Sequence, residues 1–158
     1  MSLLNAGVYV VHLFFAALWT GSVLFAAYVV LPLGRDGQLN AEPLRTVAGK
    51  ITTISRASAA VLFLTGGHMA AAAAGYTVES LTGTSRGHLV ITMIVLWFLL
   101  AGLVEVGTSK LTDGTGKDKV REPAHDATRF FQGASVIAVL LLVDAGLIIS
   151  NGLGIFVF

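Results

Sequence analysis

Four long apolar stretches divide this chain, each bounded by polar and glycine-rich clusters. The first runs from Val8 to Leu33 and meets Pro32 and Gly34 at its end. The second begins between Ile51 and Ala57 and reaches Gly75, the third runs from His88 to about Gly107, and the fourth from Ala127 to Ser150, stopped by Asn151 and Gly152. Stretches of about 20 apolar residues are what a helix needs to cross hydrocarbon. A chain in lipid must satisfy its backbone internally, and the two-residue alternation of a barrel is absent, so helices are the only option. The pattern predicts an all-α fold: one transmembrane domain over residues 1–158, an integral membrane four-helix bundle with helices at about 8–33, 51–75, 88–107 and 127–150.

The segments between read as connections: Arg35 to about Lys50, Tyr76–Gly87, and Thr108–Asp126, the most charged piece. The opening of the second stretch, ITTISRAS, is amphipathic and is expected at the interface, with Arg56 reaching the headgroups. The apolar tail GLGIFVF is expected there too. Ala16, Ala17 and Gly21, Gly66 and Gly67, and Gly133, Ala134 and Ala138 recur at helical spacing and allow close helix approach.

Composition agrees with a membrane protein. Of 158 residues 55% are hydrophobic and 12% charged, with a mean hydropathy of +0.82. That is about half the charge of an ordinary soluble domain. The net charge of +1, with no basic run interleaved with aromatics, argues against a nucleic-acid partner. The absence of cysteine removes disulfides, thiolate metal sites and covalent haem attachment. No Lys or Arg precedes the first apolar run, which is too long for a signal h-region, so it is expected to be a permanent span. Lys and Arg concentrate in two connections. Arg35, Arg45, Lys50 and Arg56 mark the first, and Lys110, Lys117, Lys119, Arg121 and Arg129 mark the last; only Arg86 lies in the middle one. The positive-inside rule then puts both termini outside, in the plasma membrane of the cell.

Candidate chemistry falls in the outer half. At 1.5 Å per residue His12 lies about 6 Å deep, His68 about 10 Å and Asp144 about 9 Å, with Met69 and Met93 in the same layer and His88 at the outer mouth. His125 stays with the cytoplasmic connection. Each histidine can be a simple interhelical hydrogen-bond partner, Met69 and Met93 can be packing, and His88 and Arg86 can be interfacial. Ionisable groups inside a membrane nonetheless point to a site. Three chemistries suit the layer. Haem b would take His12 and His68 as axial ligands, with Met93 and His88 in reserve. Gly67, with Gly66, would let a flat macrocycle near the backbone, Trp19 would pack on its edge, and Arg86 would pair with a propionate. Copper would take His12, His68, Met69 and Met93. A proton or ion path would use Asp144 and His68 with no cofactor.

The same residues carry a family resemblance. His12, Trp19 and Gly21 form a His–x6–Trp–x–Gly pattern that resembles the first helix of the CopD family and of the related HemJ-like membrane proteins. Ser55, Arg56, Thr65 and Gly66 resemble the second helix, and the opening of TSRGHLVITMIVLWFLLAG resembles the third. The resemblance implies copper uptake and resistance in the first case. In the second it implies haem b binding with protoporphyrinogen oxidation, with His12 matching the haem-ligand histidine. The functional lysine of the HemJ-like third helix is replaced here by Met93. The residues together lead to an expected haem b protein in electron transfer, with a quinone or redox protein as partner, Asp144 or His88 taking the proton of a quinol, and a homo-oligomer possible. The alternatives are a copper-handling protein and a cofactor-free small subunit of a respiratory complex.

Overall fold

The computed structural model describes residues 2–152. Four helices long and apolar enough to cross a membrane dominate it, and no strand occurs among the described residues. Helix α1 runs Leu3–Arg35, α2 covers Ala41–His68 and continues through a π turn at Met69–Ala73, α3 is a short helix at Val78–Gly83, α4 is Ser85–Thr115, and α5 is Arg121–Gly152. The long helices run alternately up and down in a ring: α1 packs on α2 and α5, and α4 on α2 and α5. The apolar tail lies outside the described residues.

The four spans are present, but the helices outrun them. The second begins ten residues before Ile51, and the third continues through Thr108–Thr115. The connections expected at Arg35–Lys50 and Thr108–Asp126 shrink to residues 36–40 and 116–120. Charged residues there mark the exit from lipid, and the backbone stays helical past it. Pro32 does not end α1 either. Proline offers no N–H and crowds the carbonyl four residues back; the chain absorbs this by widening Ala26–Val30 into a π turn, with Leu31 N–H bonding to Ala26 O, and resumes α-helix to Arg35. The turn into α2 then needs a left-handed residue, which Gly37 supplies at φ 73°. The middle connection contains α3, opened by a capping box between Thr77 and Ser80.

Packing is uneven along the bundle. The buried positions crowd toward the end that carries the basic connections: Val30, Leu31, Leu44, Ala48, Leu111, Ala124, Ala127 and Phe131 are each at most 5% exposed. Small residues set the approach there. A Cβ on Gly107 would lie 2.8 Å from the Phe131 ring, one on Gly34 would lie 3.0 Å from Ala124 Cβ, and one on Gly114 would lie 2.5 Å from Pro123. Just above this block Arg56 does not reach out alone. Its guanidinium pairs with both carboxylate oxygens of Glu105, clamping α2 to α4. Toward the opposite end α1, α4 and α5 bury little, and Leu4, Val10, Phe14, Val95, Phe98 and Val143 are all more than half exposed.

Gly107→Ala is expected to destabilise the bundle by about 1–3 kcal/mol through overpacking against Phe131. Gly102→Ala, on the same helix with nothing within 4 Å of the added Cβ, is expected to gain about 0.5–1 kcal/mol from helix propensity. Thermal unfolding of both variants in one detergent checks the pair; equal shifts would contradict the packing described.

Candidate functional site

Where the packing loosens, a cavity of about 220 Å³ opens between the four long helices. Its deep end is formed by Trp19, Leu62 and Leu100, which are 2%, 9% and 1% exposed. Trp97 stacks near Phe63, with centroids 5.7 Å apart, and both line it. The wall toward lipid includes Leu13, Phe63, Ile94 and Leu142. His12 and Met93 line the same space, with Thr20 the only hydroxyl among the described residues that line it. The indole N–H groups of Trp19 and Trp97 are buried without a partner among the described residues.

His12 is held by its neighbour on α2. Its Nδ1 lies 2.7 Å from Thr65 Oγ1, and Thr65 Oγ1 lies 2.6 Å from the Val61 carbonyl oxygen. Two oxygens that close require the hydroxyl proton between them, so Thr65 donates to Val61. A hydroxyl has one proton, and toward His12 it can only accept. His12 therefore carries its proton on Nδ1 and donates it to Thr65. Nε2 is left with its lone pair and no partner among the described residues. A hydrogen bond on one ring nitrogen that fixes the other for ligation is how ligating histidines are oriented. Gly66 completes the seat: a Cβ there would lie 3.3 Å from His12 Cε1, so the ring rests against the α2 backbone.

The other expected residues divide. His68 does not line this cavity. Its Nε2 donates to Asn5 Oδ1 at 3.2 Å, and Asn5 lies seven residues before His12 on the same face of α1, so the two imidazoles sit at successive levels of one helix seam. Gly67 lines the cavity with open space before it, whereas the surface of Gly66 is taken by His12 itself. His88 is exposed, and its Nε2 donates to the Thr82 carbonyl at 2.8 Å. Arg86 and Met69 line a separate cleft. His125, exposed at the basic end, lies 3.6 Å from Asp126. Asp144 is 5% exposed and makes no hydrogen bond among the described residues, with Oδ2 buried. The α4/α5 register fixed by Gly107 on Phe131 and Gly114 on Pro123 sets it level with Met93, and its neighbours Leu142 and Ala145 line the cavity. No group of three or more His, Cys, Asp or Glu side chains among the described residues is placed to hold a metal ion.

Thr65, Asn5 and Trp97 are the participants that residue type alone does not reveal. Asn5 carries a faint signal in its heptad spacing from His12. Thr65 stands in the second-helix resemblance, but its residue type gives no sign of a partner on α1, because a threonine inside a helix ordinarily back-bonds to its own turn.

The fold and this cavity define the class: an α-helical four-helix bundle of membrane-spanning length, open at one end around a single oriented imidazole. No protein-family model, no curated protein and no solved structure matches the chain.

Thr65→Val, which leaves the His12 donor without its acceptor, is expected to cost about 1 kcal/mol, and Thr65→Ser to restore it; thermal unfolding decides, and equal midpoints would contradict the contact. Asp144→Leu removes a buried polar group with no partner and is expected to raise stability by about 1 kcal/mol. A lower midpoint would reveal a partner for that carboxyl.

Proposed function

We propose that this chain is a membrane-embedded haem b protein in which His12 Nε2 is the protein's ligand to the iron and Met93 the second donor. The observation that carries the reading is the His12–Thr65 hydrogen bond, which leaves a neutral imidazole lone pair on a side chain lining a largely apolar cavity. Imidazole and thioether are both haem ligands. The donor set therefore fits the group. The enclosed 220 Å³ holds only part of a macrocycle, below the roughly 300–1,000 Å³ of ordinary ligand pockets; the lipid-facing wall of Leu13, Phe63, Ile94 and Leu142, between 46% and 60% exposed, is the side on which the remainder is accommodated.

Haem b supplies one-electron redox chemistry when bound. The chain's own part is to fix the ligand's tautomer through Thr65, to exclude water with Trp19, Leu62 and Leu100, and to hold a carboxyl, Asp144, level with the cavity for a proton. The role we infer is electron transfer in the outer half of the plasma membrane, with a quinol or a redox protein as donor and both termini outside. This reading agrees with what the resemblance of the first helix to HemJ-like proteins implies. Met93 in place of their lysine favours electron transfer over protoporphyrinogen oxidation. Copper handling through His12, His68, Met69 and Met93 has less support, since His68 bonds to Asn5 and Met69 lines another cleft.

The test is a reduced-minus-oxidised absorption spectrum of the purified protein, with metal analysis on the same sample. Wild type is expected to show haem bands with stoichiometric iron. His12→Ala is expected to lose them, Thr65→Val to retain less haem, and His68→Ala to keep them. Bound copper without such bands, or bands unaffected by His12→Ala, would overturn the assignment.

A further inference from the structure

The second cleft lies at the histidine end of the bundle, between the start of α1, the end of α2 and the α3–α4 junction. It has a volume of about 710 Å³ and shares no lining residue with the His12 cavity. Six polar side chains line it: Asn5, Tyr9, Tyr76, Ser80, Thr84 and Arg86.

A count of protons shows what it lacks. Ser80 Oγ donates to the Thr77 carbonyl at 2.9 Å and Thr84 Oγ1 to the Ser80 carbonyl at 2.6 Å, so both hydroxyls are spent. Asn5 has given its oxygen to His68 and keeps its two N–H donors. Tyr9 makes no side-chain hydrogen bond among the described residues. The Tyr76 hydroxyl is buried with no partner among the described residues, and so is Arg86 Nε. Arg86 makes neither an ion pair nor a hydrogen bond among the described residues, whereas Arg45 and Arg56 each pair with a glutamate. No carboxylate lines the cleft; Glu79, on α3, is exposed and does not line it. Unpaired donors therefore converge here around one permanent positive charge, with no carboxylate among the lining residues. A buried guanidinium nitrogen without an acceptor is costly. The complementary group is an oxyanion, which takes charge-assisted hydrogen bonds from arginine and further ones from phenols and amides.

We propose that this cleft binds a phosphate oxyanion, with Arg86 as its charge partner and Tyr76 as a second donor. Two sources carry that chemistry: the phosphodiester headgroup of an anionic lipid, and free phosphate. The headgroup source suits a cleft at the end of the bundle where the apolar spans give out. The proposal stands apart from the haem reading, since His12 and Met93 take no part in it.

The test uses the full chain in dodecyl maltoside micelles, which carry no phosphate, and follows the thermal unfolding midpoint. Phosphatidylglycerol is titrated into the micelles in one arm and inorganic phosphate into the buffer in the other. Wild type is expected to be stabilised, with Arg86→Gln at least about tenfold weaker in the titration, Tyr76→Phe weaker to a lesser degree, and Arg45→Gln, at the basic end, unchanged. Stabilisation by phosphatidylglycerol alone assigns the site to a headgroup, and stabilisation by phosphate alone assigns it to the free anion. If Arg86→Gln does not fold in the micelles, Tyr76→Phe carries the comparison. No stabilisation in either arm, or stabilisation untouched by Arg86→Gln and Tyr76→Phe, overturns the proposal. His12→Ala protein is expected to respond as wild type does; loss of the response there would assign the anion to carboxylates of a bound prosthetic group and overturn it as well.

Discussion

Close backbone approach at one end of the bundle is the constraint on which the rest depends. Gly107 against Phe131, Gly34 against Ala124 and Gly114 against Pro123 bring helices together where a larger residue would not fit. In lipid this contact is the driving force, because apolar side chains gain nothing from leaving water that is not there. The Arg56–Glu105 pair adds a polar clamp just above it. Toward the other end Trp19, Trp97 and Met93 line the space between the helices and are too large to allow the same approach. The helices stay apart and a cavity remains. The bundle is shut where glycines meet Phe131, Ala124 and Pro123 and stays open around Trp19 and Trp97.

Within that opening a single hydroxyl sets the chemistry. Thr65 spends its proton on its own helix, so it meets His12 only as an acceptor. The imidazole is turned so that Nε2 keeps its lone pair with no partner among the described residues, on a side chain that lines the cavity together with two unpaired indole donors. The glycine behind the ring makes the seat possible, and the closed end beneath it keeps water from the floor. The polar cleft above is organised on the opposite principle, with unpaired donors gathered around Arg86 and no carboxylate among the lining residues.

The number of spans and the all-α class were legible in the sequence because hydropathy reports directly on what enters lipid. Helix ends were not. Glu42, Arg45 and Lys50 read as a loop, yet they sit on a helix that has left the membrane and kept its hydrogen bonds. Pro32 reads as a stop, yet a π turn absorbs it. At the site, depth along each helix was legible and rotation was not. His12 and His68 fall in one layer by counting, but they follow one another along the α1–α2 seam, each with its own partner, Thr65 and Asn5. Residue spacing gives the height of a side chain; only the packed neighbours give the direction in which it faces.

The central claim is the orientation of His12, and nitrogen-15 NMR of histidine-labelled protein in nanodiscs tests it most directly. His12 Nδ1 is expected to carry the proton and Nε2 to show a free or ligated lone pair, and Thr65→Val is expected to disturb this state. A proton on Nε2, with Nδ1 bare toward Thr65, would contradict it and remove the ligand on which the proposed function rests.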